Sequence, residues 1–163
     1  MKKGFTLIEV TITLALFALI VSLTVANVSF LNKSTVSAEV DKLYSICRYL
    51  QRCAMLSNEK QELIFDEANG RYTFNGCTEE LPAQIKFGII PQIKGPPSSP
   101  KRQITSPITF KLSRIIFHPD GIIQPGTVYV TDNNQSCLYA LSSSVAHVSY
   151  LRKYTYNGKW TLL

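Results

Sequence analysis

At 163 residues the chain has room for one domain and an extra element, and it is short for two domains of ordinary size. Its 45% apolar content and formal charge of +6 place it in the globular class rather than among disordered polar chains. The apolar residues are unevenly spread, however: residues 5–31 hold one charged side chain, Glu9, in 27 positions.

As a helix, residues 5–31 would be about 40 Å long at 1.5 Å per residue, more than the roughly 30 Å hydrocarbon core of a bilayer. Lys2 and Lys3 precede the run and place the N-terminus in the cytoplasm by the positive-inside bias, with everything after Asn32 on the outer side. A secretory signal peptide cut near Thr24-Val25-Ala26 would have a shorter apolar core, about 7 to 15 residues, without an acid. A plain single-pass anchor explains length and orientation but not Glu9. A carboxylate in a spanning helix costs on the order of 2.5 to 3.5 kcal/mol at the centre, so it calls for a partner. Cleavage after Gly4 would leave an amine on Phe5, one helical turn before Glu9. In a filament packed through such helices, one stagger brings each acid to an amine and other staggers strand both charges.

The run Lys2-Lys3-Gly4-Phe5-Thr6-Leu7-Ile8-Glu9-Val10 resembles the leader and helix start of type IV pilins and type II secretion pseudopilins. The resemblance implies that prepilin peptidase cuts between Gly4 and Phe5, that the same enzyme N-methylates Phe5, and that Glu9 guides assembly.

Beyond the apolar run, Val36, Val40, Leu43, Cys47, Leu50 and Ala54 recur at steps of four, three, four, three and four, which predicts an amphipathic helix. Lys33, Glu39, Asp41, Lys42, Arg48 and Arg52 fall mostly off this stripe, and the helix should stop near Ser57-Asn58, where Asn tolerates the left-handed conformation. Four cysteines, Cys47, Cys53, Cys77 and Cys137, allow three full disulfide pairings in an exported domain; the pairing stays open, although helical geometry puts Cys47 and Cys53 on different faces. None forms a CxxC spacing for zinc or redox chemistry.

Short strands follow. Leu63-Ile64-Phe65 and Tyr72-Thr73-Phe74 flank Asn69-Gly70, a type I′ hairpin signal. Further strands are expected at residues 84–90, 114–117, 127–131, 137–141 and 145–151, with a last hairpin at Asn157-Gly158. Residues 91–107 carry five prolines in seventeen positions together with Lys94, Lys101 and Arg102, and predict an exposed, mobile loop with little to bury. The chain therefore reads as an α+β lollipop: residues 1–4 a cleaved leader, 5–57 a helix with 5–31 spanning the membrane, and 58–163 an antiparallel β head.

The segment Ile115-Ile116-Phe117-His118-Pro119-Asp120-Gly121, followed by Gly126-Thr127-Val128-Tyr129-Val130, resembles the head of the H-type minor pseudopilins of type II secretion and related minor pilins. The implied function is a pseudopilus subunit that helps export proteins. Its implied place is the bacterial inner membrane, with the head in the periplasm. Its implied partners are prepilin peptidase, other pseudopilins and secreted cargo. The proline-rich insertion and the four cysteines depart from that pattern.

No enzyme and no cofactor or metal are expected. His118 and Asp120 are explained by a Pro119-Asp120-Gly121 turn, His147 by an alternating strand, and there is no phosphate loop, HExxH or paired-carboxylate signature. The different-class alternative is a minor type IV pilin that binds DNA during uptake, with Arg152, Lys153 and Lys159 among Tyr150, Tyr154, Tyr156 and Trp160 as candidate contacts. Loss of Lys2 and Lys3 with the leader lowers the formal side-chain charge from +6 to +4, which weakens that case. A third reading is an enzyme or binding domain on a plain anchor.

Overall fold

The computed structural model describes residues 6–95, 101–144 and 150–163, with the side chains of residues 23–32 outside the description. The chain divides into two compact units, Met1–Asn32 and Lys33–Leu163. Helix α1 runs over Leu7–Ser57 and stops where Asn58 takes a φ of 55°, the left-handed stop that the sequence predicts. The expected membrane span, residues 5–31, falls partly outside the described residues; among those described, no helix is long and apolar enough to cross a membrane.

In the second unit the predicted stripe is the core. Val36, Val40, Leu43, Cys47, Leu50 and Ala54 are all at most 1% exposed. They share one apolar cluster with residues from two antiparallel sheets, because a helix with one apolar face must cover that face with another layer. The first sheet has the order β3-β2-β1-β5, from Gln61–Asp66 (β1), Arg71–Phe74 (β2), Cys77–Glu80 (β3) and Arg114–Phe117 (β5). The second has the order β4-β6-β7-β8-β9, from Ile85–Phe87 (β4), Gly126–Asp132 (β6), Leu138–Ser143 (β7), Leu151–Tyr156 (β8) and Trp160–Leu162 (β9). The α+β class and the antiparallel pairing are as expected.

Glu39 corrects the polar side of the helix. It is buried, and it accepts a hydrogen bond of 2.7 Å from the hydroxyl of Tyr72, itself fully buried under the helix. Burial pushes the Tyr72 phenol well above its usual range, with the Glu39 bond adding to the shift. The phenol therefore stays protonated and donates to the acid, which offsets part of the cost of burying the carboxylate.

The turns differ from the sequence reading in an instructive way. Asp66 pairs with Arg71, so the β1–β2 loop has four residues instead of the two of a type I′ hairpin. Asp66 accepts from the backbone N–H and the side-chain amide of Asn69, and only Gly70 has positive φ. The two-residue turn lies instead at Asn75-Gly76, where both residues have positive φ and Phe74 pairs with Cys77. That turn creates β3, a strand the sequence reading omits.

The strand expected at 84–90 is shorter, because Ile89 and Ile90 leave the ladder and pack on the outer face of the second sheet. Of the strand expected at 145–151, residues 145–149, His147 among them, lie outside the description, and β8 carries on from Leu151. The last hairpin is found, with Tyr156 opposite Trp160 and Gly158 at positive φ.

The proline-rich segment is the larger correction. Residues 96–100 lie outside the description, but the flanks of the segment are not loose. Lys94 bridges Gln103, and the Gly95 N–H donates to the Arg102 carbonyl at 2.8 Å. Ile104 is buried, and Ile93 packs beside it, on a second apolar cluster built from Tyr129, Leu138, Ala140 and Tyr154. Isoleucines spaced among the prolines supply the apolar surface that a count of proline overlooks. As a result β7 is buried at every position, and so is β6 after Gly126.

The second sheet and the segment leading into β5 meet tightly at Gly126, where an added Cβ would come within 2.4 Å of the Phe110 ring. In urea unfolding of the full chain in detergent, Gly126→Ala should cost about 1–3 kcal/mol by overpacking, and Leu43→Ala about 2–5 kcal/mol by leaving a cavity. Tyr49→Ala, on the exposed side of the same helix, should stay within about 0.5 kcal/mol.

Candidate functional site

The helix start is built by two side chains. Thr6 is the last residue before the helix, and its backbone N–H donates to Glu9 Oε2 at 2.9 Å. The Thr6 hydroxyl donates to the same oxygen at 3.0 Å and accepts the Glu9 N–H at 3.4 Å. This is a capping box, Thr-x-x-Glu, in which cap and acid satisfy each other's free donors at the first turn. The pattern was present in the sequence at Thr6 and Glu9, and the reading of Glu9 as an assembly acid passed over it. Gly4 and Phe5, the expected cleavage and methylation positions, lie outside the described residues.

Around and beyond Glu9 the helix surface is apolar and uncovered. Every described side chain of residues 6–22 is exposed, with Leu7 85%, Ile8 67% and Phe17 68% accessible. The hydroxyls among them turn inward onto their own helix: Thr11 donates to the Ile8 carbonyl at 2.9 Å, Thr13 to that of Val10 at 2.9 Å, and Ser22 to that of Leu19 at 2.8 Å. The segment thereby presents few unsatisfied polar groups to an apolar surrounding.

The three candidate nucleic-acid contacts are not brought together. Arg152 and Lys153 are neighbours on β8 and so point to opposite faces. The Lys153 ammonium pairs with Asp41 of α1 and sits 5.1 Å from the centroid of the Tyr44 ring. Arg152 stacks on Tyr150 at 4.7 Å and donates to its hydroxyl at 2.9 Å. Lys159 lies in the β8–β9 turn opposite Asn157, at the far end of the strand, about 15 Å away at 3.3 Å per residue.

His118 and Asp120 fall in a turn, as the sequence reading has it. The Gly121 N–H donates to the His118 carbonyl at 2.9 Å, Asp120 Oδ1 accepts the Ile122 N–H at 3.0 Å, and Gly121 has a φ of 81°. Gln51 of α1 donates to the Gly121 carbonyl at 2.8 Å and ties this turn to the helix. Among the described residues no group of three His, Cys, Asp or Glu side chains is placed to hold a metal ion.

Residues 1–25 match the family described as the prokaryotic N-terminal methylation motif. The chain carries a prepilin-type signal. That signal includes Gly4, Phe5, Thr6 and Glu9, and it implies processing by prepilin peptidase and assembly with other pilin-type subunits. Compared with the curated proteins and with the solved structures, the chain has no match.

Outside the prepilin signal the four cysteines are free thiols, Cys47 and Cys137 buried, Cys53 partly buried and Cys77 exposed. Burial pushes the Cys47 and Cys137 thiols up, in Cys137 with a contribution from the charge of Asp132. Because the thiolate is the reactive form, a maleimide at pH 7.5 should label Cys77 first and Cys53 more slowly, leaving Cys47 and Cys137 unlabelled until the protein is unfolded. Peptide mass mapping reads this directly; labelling of Cys47 in the folded protein, or a disulfide in freshly isolated chain, would contradict the arrangement.

Proposed function

We propose that the chain is a minor pseudopilin of H-type, a subunit of a short periplasmic filament that helps export proteins by type II secretion. Prepilin peptidase removes residues 1–4, the new amine on Phe5 is methylated, and Glu9 of one subunit meets the amine of the same or a neighbouring subunit. The apolar helix first anchors the chain in the bacterial inner membrane and then packs into the filament, while the head faces the periplasm. The chain does no chemistry of its own and holds no cofactor.

The observation that carries this reading is the prepilin-type signal with Glu9 four residues after Phe5, at the start of an uncovered apolar helix. A surface of that size and composition needs a cover, and a bilayer followed by other such helices supplies it. The head adds support: β5 ends at Phe117, the Pro119-Asp120-Gly121 turn follows, and β6 begins Gly126-Thr127, the order found in H-type heads. The DNA-uptake pilin is less well supported, since Lys153 is already paired with Asp41 and the basic residues do not line one surface.

Glu9→Val tests the proposal in native cells. The variant should insert into the membrane at normal abundance, be absent from the sheared filament fraction, and lower cargo export at least tenfold; Glu9→Gln should behave similarly. Normal assembly of Glu9→Val would sink the acid–amine mechanism. Loss of DNA uptake with export intact would instead select the DNA-uptake pilin.

A further inference from the structure

On the outer face of the second sheet, away from α1, a cleft of about 500 Å³ lies between residues 102–105 and the paired ends of β6 and β7. Its size is that of a small-ligand site. Thr127, Tyr129 and Ser142 lie on this face, since Val128 and Leu141 belong to the core on the other side and side chains alternate along a strand. Ile104 and Tyr129 supply an apolar wall, and Arg102 stands exposed at the rim.

The polar chemistry of the cleft is one-sided. Among the described residues no acidic side chain lines it, and neither Arg102 nor Arg152 has a carboxylate partner. Arg152 sits directly across the β7–β8 ladder from Ser142, which extends the positive face beyond the cleft. Ser142 is 6% exposed and accepts from the Thr127 hydroxyl at 3.0 Å. Its own proton has the Gly126 carbonyl as acceptor at 3.5 Å, long for a hydroxyl bond, so this buried donor is poorly used. Burial pushes the Tyr129 phenol up to about 12, and it stays protonated at neutral pH.

We propose that this cleft binds a carboxylate, carried by a peptide side chain or by a small organic acid, with Arg102 as the cation, Ser142 as the buried donor, and Ile104 and Tyr129 against the ligand's apolar part. A planar carboxylate matches one guanidinium fork plus a hydroxyl. A nucleic-acid backbone needs a track of several cations running through the site, and among the described residues that line the cleft Arg102 is the one cation. The proposal is independent of the filament reading, because none of its residues belongs to the prepilin signal.

Trp160 is the sole tryptophan and reports on the site: its ring lies 6.1 Å from that of Tyr129, and its N–H donates to the Lys94 carbonyl beside Gly95 in the cleft wall. The test is a fluorescence titration of the full chain in detergent with acetyl-Leu-Glu-amide, acetyl-Leu-Gln-amide, acetate and a single-stranded oligothymidine. A saturable change in Trp160 emission is expected with the Glu peptide and not with the Gln peptide. Arg102→Gln should weaken it about tenfold and Ser142→Ala several-fold, with the thermal unfolding midpoint of Arg102→Gln unchanged because the side chain is exposed and unpaired. Acetate binding as well as the Glu peptide would support the proposal and assign a small organic acid; a clear preference for the peptide would assign a polypeptide. No saturable change with either carboxylate, equal binding of the Gln peptide, undiminished binding by both variants, or tighter binding of the oligonucleotide would overturn it.

Discussion

Everything in the second unit depends on one strip of helix surface. Among the described residues, Val36, Val40, Leu43, Cys47, Leu50 and Ala54 are the helical side chains at most 1% exposed, and both sheets complete their inner faces against the cluster these residues seed. Burying each large member is worth roughly 1.5–3 kcal/mol relative to exposure. Around the strip, specific polar ties fix orientation more than they add stability: Glu39 to Tyr72, Gln51 to the Gly121 carbonyl, and Lys153 to Asp41. The last is a partly exposed pair and contributes about 1 kcal/mol or less.

The strip was legible in the sequence because a spacing of three and four has no competing explanation over nineteen residues, and the helix stop at Asn58 was legible for a local steric reason. The strands with strong apolar alternation, β1, β2, β5 and β6, were likewise visible. What failed were signals that depend on partners distant in sequence. Asn69-Gly70 and Asn75-Gly76 offer the same dipeptide; Asp66 captures the first into a four-residue loop, and the second becomes the two-residue turn. Proline count concealed Ile93 and Ile104, whose value appears only once Tyr129 and Leu138 present a face to cover. Glu39 reads as a solvent residue until Tyr72, thirty-three positions later, is folded beneath it.

At the N-terminus the local geometry and the proposed chemistry concern the same carboxylate. Thr6 holds Glu9 through a backbone N–H and a hydroxyl, which fixes the acid at the first turn before any partner arrives. In the proposed mature chain a charged amine one residue upstream would be a stronger partner than either, since it would add the attraction of a full opposite charge to a bond that the carboxylate already makes charge-assisted. Under the proposed function, the capping box would keep the acid ordered in the free subunit until assembly. Lys153, by contrast, shows how a basic residue that looks available in sequence can be committed to the fold, here to Asp41 and Tyr44. Arg102 has no carboxylate partner among the described residues, and it lies on the opposite side of the second sheet from α1.

The intact mass and N-terminal peptide of the protein isolated from its native membrane bear most directly on the central claim. The account predicts a chain that begins at Phe5 with a methylated amine. A chain that begins at Met1, or one cut near Asn27, would contradict it and leave the head as an anchored or secreted domain with a different role.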